Sequence, residues 1–157
     1  MVTQQRALST VADTEAFGRE LARDLKAGDL VVLDGPLGAG KTALTRGIAA
    51  GLGVLGRVSS PTFIIARQHR AGERGIALVH VDAYRLGGDL DDLDALDLDT
   101  DLNHAVVVVE WGLGVVEHLA DRHLLVRLAR EPESDVRTAV WEWIGPGRGP
   151  RHPVRPE

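Results

Sequence analysis

Residues 30 to 42 read Leu30-Val31-Val32-Leu33-Asp34-Gly35-Pro36-Leu37-Gly38-Ala39-Gly40-Lys41-Thr42. Beyond them Ala43, Leu44 and Ile48 recur with helical spacing. An apolar strand, a glycine turn and a helix start therefore follow one another in the order a phosphate-cradling loop requires. Gly35, Gly38 and Gly40 permit backbone conformations closed to residues with a Cβ, so successive N–H groups, Ala39 among them, can point inward around phosphate oxygens at a helix N-terminus. Lys41 offers a mobile point charge for the β- and γ-phosphates, and the Thr42 hydroxyl is placed to ligate Mg²⁺. The chain has only two lysines among its 18 basic residues, and one stands in this loop. Arg serves elsewhere; a phosphate cradle favours the compact ammonium.

The chain of 157 residues is long enough for one domain with a full hydrophobic core, expected over residues 1–144. A formal net charge of −5 argues against a broad basic face that would grip DNA or RNA by counterion release, so any service to nucleic acid is expected to pass through a protein partner. No cysteine is present, which excludes disulfides, thiolate catalysis and cysteine-held metals. Gln4, Gln5, Arg6, Asp13 and Glu15 interrupt the N-terminal stretch, so neither a signal peptide nor a membrane span is expected and the cytoplasm is the default. From Gly145 onward four prolines and three glycines fall in 13 residues, and residues 145–157 are expected to be a disordered tail.

Between these ends the pattern predicts a mixed α/β sheet of about seven strands in a three-layer domain. Arg6 to Thr10 reads as a short edge strand, followed by a helix capped at Asp13 or Thr14 and carrying Phe17, Leu21 and Leu25 on one face. Phe63 to Gln68 and Ile76 to Val81 read as a hairpin around the turn Arg70 to Gly75. Leu86, Leu90 and Leu93 have helical spacing, Val106 to Val109 resembles a strand buried on both faces, and His123 to Ala129 with Val136 to Ile144 reads as an antiparallel pair.

Two apolar strands end in an acid, at Asp82 and at Glu110. The carboxyl ends of parallel strands face the ligand crevice of an α/β sheet, so either acid could serve the Mg²⁺ of a bound nucleotide. Asp97, Asp99 and Asp101 imitate the opening of a calcium loop. Leu102 stands where its sharp turn needs Gly, and Val108 where it needs a bidentate Glu. His118 and His123 lack a metal-ligand framework, and Trp141 and Trp143 read as packing. Arg67, His69, Arg70 and Arg74 form a small basic cluster, read first as a solvated turn and otherwise as a phosphate, RNA or partner contact.

Taken together, Gly35-x-x-Gly-Ala-Gly-Lys-Thr42, Ser60-Pro-Thr-Phe63, His80-x-Asp-x-Tyr-Arg85 and Glu110-Trp111 resemble the bacterial TsaE family, formerly called YjeE, from about Asp13 to Ile144. The resemblance implies a small P-loop ATPase that is required for forming N6-threonylcarbamoyladenosine at position 37 of tRNAs reading codons that begin with A. It implies that the protein acts with the TsaB–TsaD heterodimer, where TsaD is the transferase, and so meets tRNA indirectly. Carried over by motif, Gly35 to Thr42 would hold the triphosphate and Thr62 would lie in a switch-like loop near the γ-phosphate. Asp82 would be a catalytic acid, Glu110 would stand near Mg²⁺ with Thr42, and Trp111 would shape the site beside the nucleotide. Gly112-Leu113-Gly114 stands where many members carry an acid after the Glu-Trp pair, so the contact of that acid is not carried over.

Other uses of the same loop stay open at this stage. A small-molecule kinase would need an Arg-bearing lid, for which Arg67 to Arg74 is the candidate. A GTPase would need an Asn-Lys-x-Asp segment, which is absent. A binding module would use ATP only to set a partner surface.

Overall fold

The computed structural model describes residues 4–36, 38–56, 66–82, 98–110, 116, 119–131, 134 and 136–145. The helix expected around Leu86, Leu90 and Leu93 and most of its acidic run lie outside those residues, as do Thr62, Arg85, Trp111, His118 and the tail beyond Gly145.

Seven strands form one sheet in the order β1-β7-β6-β2-β5-β4-β3, with β1 at Gln4–Leu8, β2 at Leu30–Asp34, β3 at Ala66–His69, β4 at Ala77–Asp82, β5 at Ala105–Glu110, β6 at His123–Arg130 and β7 at Arg137–Ile144. β2 runs parallel to both β5 and β6, and β5 is parallel to β4. The outer pairs β3–β4, β6–β7 and β1–β7 are antiparallel. The fold is the expected mixed α/β architecture.

Helices α1 (Val11–Arg23) and α2 (Lys41–Leu52) cover one face, where Val31, Leu33, Leu78, Val106, Val108 and Val126 pack with Phe17, Leu44 and Ile48. The opposite face carries Leu30, Val32, Val79, Val81, Val107 and Val109 beneath Val116 and Leu98, the first residue of the short helix α3 (Leu98–Asp101). Both faces of β2 and β5 are thus covered, which explains their unbroken apolar runs.

The helix start differs from the sequence expectation. Thr10, not Asp13 or Thr14, is the N-cap: its side chain accepts the Asp13 N–H at 3.0 Å, and the Asp13 carboxylate accepts the Ser9 N–H at 3.1 Å. Thr10 thus satisfies a first-turn donor while Asp13 fastens the residue before the cap, and the helix starts at Val11. At its far end α2 stops on Gly53 in the left-handed region (φ 73°), which glycine adopts without strain.

α1 and α2 run side by side in the same direction and meet through small residues. A Cβ at Gly18 would lie 2.5 Å from the Leu44 carbonyl oxygen, one at Gly47 would lie 2.1 Å from the Glu15 carbonyl oxygen, and one at Gly51 would lie 2.6 Å from the Ala22 Cβ. Arg74, from the β3–β4 turn, closes the far end by donating to the carbonyls of Ala22 and Leu25 at the end of α1 and of Gly51 near the end of α2. These are carbonyls a helix cannot satisfy by itself.

Gly47→Ala tests this seam. At an ordinary helical position the change would add roughly 1 kcal/mol of stability. Here the backbone of Glu15 blocks the methyl group, so a loss of about 1–3 kcal/mol is expected in urea unfolding.

Candidate functional site

β2 delivers the chain to the loop at the carboxyl edge of the sheet. Gly35 (φ 154°) passes so close to β6 that a Cβ there would lie 2.5 Å from the Leu128 carbonyl oxygen. Gly38 (φ 82°) and Gly40 (φ 104°) take left-handed conformations, and Gly40 is the N-cap of α2. A Cβ on Gly38 would meet nothing within 4 Å, so backbone conformation rather than space calls for glycine there. Ala39 is fully buried, and its N–H donates to the Pro36 carbonyl at 3.1 Å.

Lys41, the first residue of α2, is buried and turned into the loop. Its Nζ donates to the carbonyls of Gly35 and Pro36. Burial lowers its pKa below the ordinary lysine value, while the carboxylates of Glu110, Asp34 and Asp82 pull the other way. Those three acids therefore share an electrostatic neighbourhood with the ammonium. Thr42 follows it, half-buried, in the first turn of α2.

Register and alternation bring the acids together. Leu33, Glu110 and Asp82 stand in one row across β2, β5 and β4. Glu110 continues the face of Val106 and Val108, and Asp82 that of Leu78, so both follow the positions that pack under α1 and α2. Both carboxylates are largely buried. Neighbouring strands lie about 4.8 Å apart, so the pair forms a compact acidic centre beside the helix that Lys41 opens.

Three residues that sequence reasoning left without a role join this site. His80 is fully buried, and its Nε2 lies 2.6 Å from Glu110 Oε2. The signal for it was present, since residue 80 shares a strand face with Asp82. Arg137, at the start of β7, donates to the Gly38 carbonyl at 3.2 Å and ties the loop to the β6–β7 pair. Thr14 of α1 is buried beside Gly40, where its Cγ2 would lie 3.8 Å from an added Cβ.

The basic cluster of the hairpin divides on inspection. Arg74 caps the helix ends, His69 is buried, and the Arg70 carbonyl accepts the Leu55 N–H beyond the end of α2. That turn lies a full helix length from Lys41, about 18 Å at 1.5 Å per residue. It is out of place as a lid over phosphates. His123 opens β6 at the opposite edge of the sheet from the glycine loop, and Trp141 packs against Phe17 as a tilted pair with ring centroids 4.5 Å apart.

The donors suit Mg²⁺ held with a nucleotide. Thr42, Asp82 and Glu110 offer hard oxygen atoms, and such a site uses one or two carboxylates while phosphates and water complete the shell. Among the described residues no group of three or more His, Asp or Glu could by itself cage a metal. None of their helices is long and apolar enough to cross a membrane.

A glycine loop between a central parallel strand and its helix, with acids on the adjacent strand ends, defines a P-loop NTPase-like protein. The family model of the threonylcarbamoyl adenosine biosynthesis protein TsaE matches residues 8–139, and the chain belongs to that family. The tRNA threonylcarbamoyladenosine biosynthesis protein TsaE of Mycobacterium tuberculosis is 56% identical over 142 residues, covering 87% of this chain and 84% of that one. The protein of the same name from Bacillus subtilis is 36% identical over 134 residues, covering 85% and 81%. The crystal structure of Bacillus subtilis YdiB superposes with a TM-score of 0.73 at 28% identity, covering 94% of this chain and 88% of that one. The P-loop family and fold imply nucleotide binding.

Two expectations follow from these environments. Lys41→Ala removes the ammonium while leaving the strand and helix, and nucleotide affinity measured by calorimetry should fall at least tenfold with little change in unfolding. His69 bears on stability instead. Its pKa is lowered mainly by burial, with His80 and Arg67 adding repulsion against an opposing hydrogen bond at Leu55. The unfolded chain therefore takes up a proton at the ordinary histidine pKa, whereas the folded chain does so only at lower pH. Stability should fall as pH drops through that window, and His69→Phe should flatten the pH dependence of the urea midpoint.

Proposed function

We propose that this protein is a Mg²⁺-dependent ATPase that serves tRNA threonylcarbamoyladenosine biosynthesis by acting with TsaB and TsaD in the cytoplasm, meeting tRNA only through that complex. Family membership supports the pathway. The observation that carries the ATPase reading is the convergence of Lys41, Asp82 and Glu110 around one helix N-terminus.

In this reading the N–H groups of Gly38 and Gly40 surround the phosphates, the Ala39 N–H exchanges the Pro36 carbonyl for a phosphate oxygen, and Lys41 exchanges its contacts to the Gly35 and Pro36 carbonyls for the β- and γ-phosphate oxygens. Thr42 and Glu110 hold Mg²⁺, which when bound neutralises charge on the phosphates. Asp82, one strand over, orients the attacking water or shares the magnesium shell with Glu110. By the resemblance of their motifs, Thr62 would lie on the γ-phosphate side and Trp111 beside the nucleotide. The net charge of −5 fits a protein that reaches tRNA through others rather than gripping it directly.

The decisive experiment is ATP turnover of the purified protein alone and with the matching TsaB, TsaD and tRNA, with threonylcarbamoyladenosine followed over many cycles. Repeated modification should require this protein and its Lys41. Full modification without it, or phosphorylation of a metabolite, would overturn the reading. Asp82→Ala and Glu110→Ala should each slow hydrolysis by ~10²-fold or more. A change under threefold in both would leave the mechanism without its acids.

A further inference from the structure

The strand-end acids explain the carboxylates of the site, but not the histidine buried against one of them. His80 has no exposed surface, its Nε2 lies 2.6 Å from Glu110 Oε2, and its Nδ1 is buried with no hydrogen-bond partner among the described residues. For packing alone this is a poor choice, because a buried ring nitrogen without a partner costs roughly 1–3 kcal/mol that an apolar side chain would avoid. One nitrogen is engaged, and it is engaged with Glu110.

We propose that His80 is the positioning residue for Glu110: its Nε2–H holds one carboxylate oxygen so that the other is presented to the Mg²⁺ of the bound nucleotide. The proposal rests on reading Glu110 as the magnesium acid. A carboxylate only accepts hydrogen bonds, so the proton of the short contact belongs to Nε2, while Nδ1 is the atom left without a partner.

The strand geometry makes this arrangement a fixed one. His80 pairs in register with Val108, so Glu110 lies two residues further along the neighbouring parallel strand and on the same face. The donor sits in the middle of β4, flanked by the buried Val79 and Val81, and has no loop on which to swing away. A glutamate at the end of a strand has several side-chain rotamers; a buried donor at 2.6 Å selects among them before nucleotide arrives. Asp82 lies beyond the same histidine on the same face, so one residue of β4 supplies the second acid and another aligns the first.

The test uses the fluorescent nucleotide mant-ATP, with affinity measured in EDTA and across a Mg²⁺ titration, on the full chain. His80→Phe keeps the ring but removes the donor, His80→Gln keeps an N–H donor, and Glu110→Gln serves as the reference. Affinity in EDTA gives each of the four proteins its own metal-free reference. Glu110→Gln and His80→Phe should each need at least tenfold more Mg²⁺ for half-saturation. His80→Gln should return to within about threefold of wild type. If Glu110→Gln raises the requirement and His80→Phe does not, or if His80→Gln behaves like His80→Phe, the positioning role is overturned while the reading of Glu110 stands. An unchanged requirement in Glu110→Gln sinks the magnesium reading and this inference with it. A nitrogen-15 histidine spectrum of the wild type needs no variant to fold: an Nε2-protonated His80 supports the proposal, and an Nδ1-protonated ring overturns it.

Discussion

A strand reverses the side of its side chains at every residue, and parallel strands in register carry that reversal in step across the sheet. Leu33, Glu110 and Asp82 stand level on β2, β5 and β4, so the faces beneath them are fixed by the apolar residues below. Val106 and Val108 pack under the helices, and so do Val31 and Leu33. A one-residue slip of β5 would leave its valines buried, since both of its faces are covered, but it would move Glu110 to the opposite face from Asp82. The acids are therefore held together by the register of the strands that carry them.

The helical layer answers a second constraint, close approach. Gly18, Gly47 and Gly51 let α1 lie against α2 at distances that a methyl group would block, and Thr14 then reaches the N-cap of α2 at Gly40. α1 is in this way part of the wall of the phosphate loop, although nothing in its sequence announces a nucleotide. On the other side Arg137 reaches the Gly38 carbonyl from β7. A loop that looks self-contained in sequence is braced from both ends of the chain.

Much of this could be read from the residues, and the reasons are physical. The strand–glycine–helix pattern at Leu30 to Thr42 is local, so the loop and the place of Lys41 at the start of its helix were legible. The valine run ending in Glu110 is legible because only a strand covered on both faces tolerates it. The cap of α1 was misplaced by three to four residues because Thr10, Asp13 and Thr14 are all competent caps by type, and the bonds between Thr10, Asp13 and Ser9 decide among them. The tie between His80 and Glu110 joins strands 30 residues apart and needs the register to be known. Arg67 to Arg74 read as a possible lid because charge alone does not say where a hairpin points; its turn, from Arg70 to Arg74, points to the far ends of the helices.

That hairpin changes how the surface of the molecule can be used. A short turn of Arg, Ala, Gly and Glu between two small strands has the composition of an expendable connection, the kind of place where a tag, a label or a new chain break is usually inserted. Here Arg74 carries three hydrogen bonds to the ends of both helices, and a Cβ on Gly72 would lie 2.0 Å from the Gly53 carbonyl oxygen. An insertion there would reach the layer that walls the phosphate loop from behind. For attaching probes or permuting the chain, this apparently free turn is among the least neutral places on the protein.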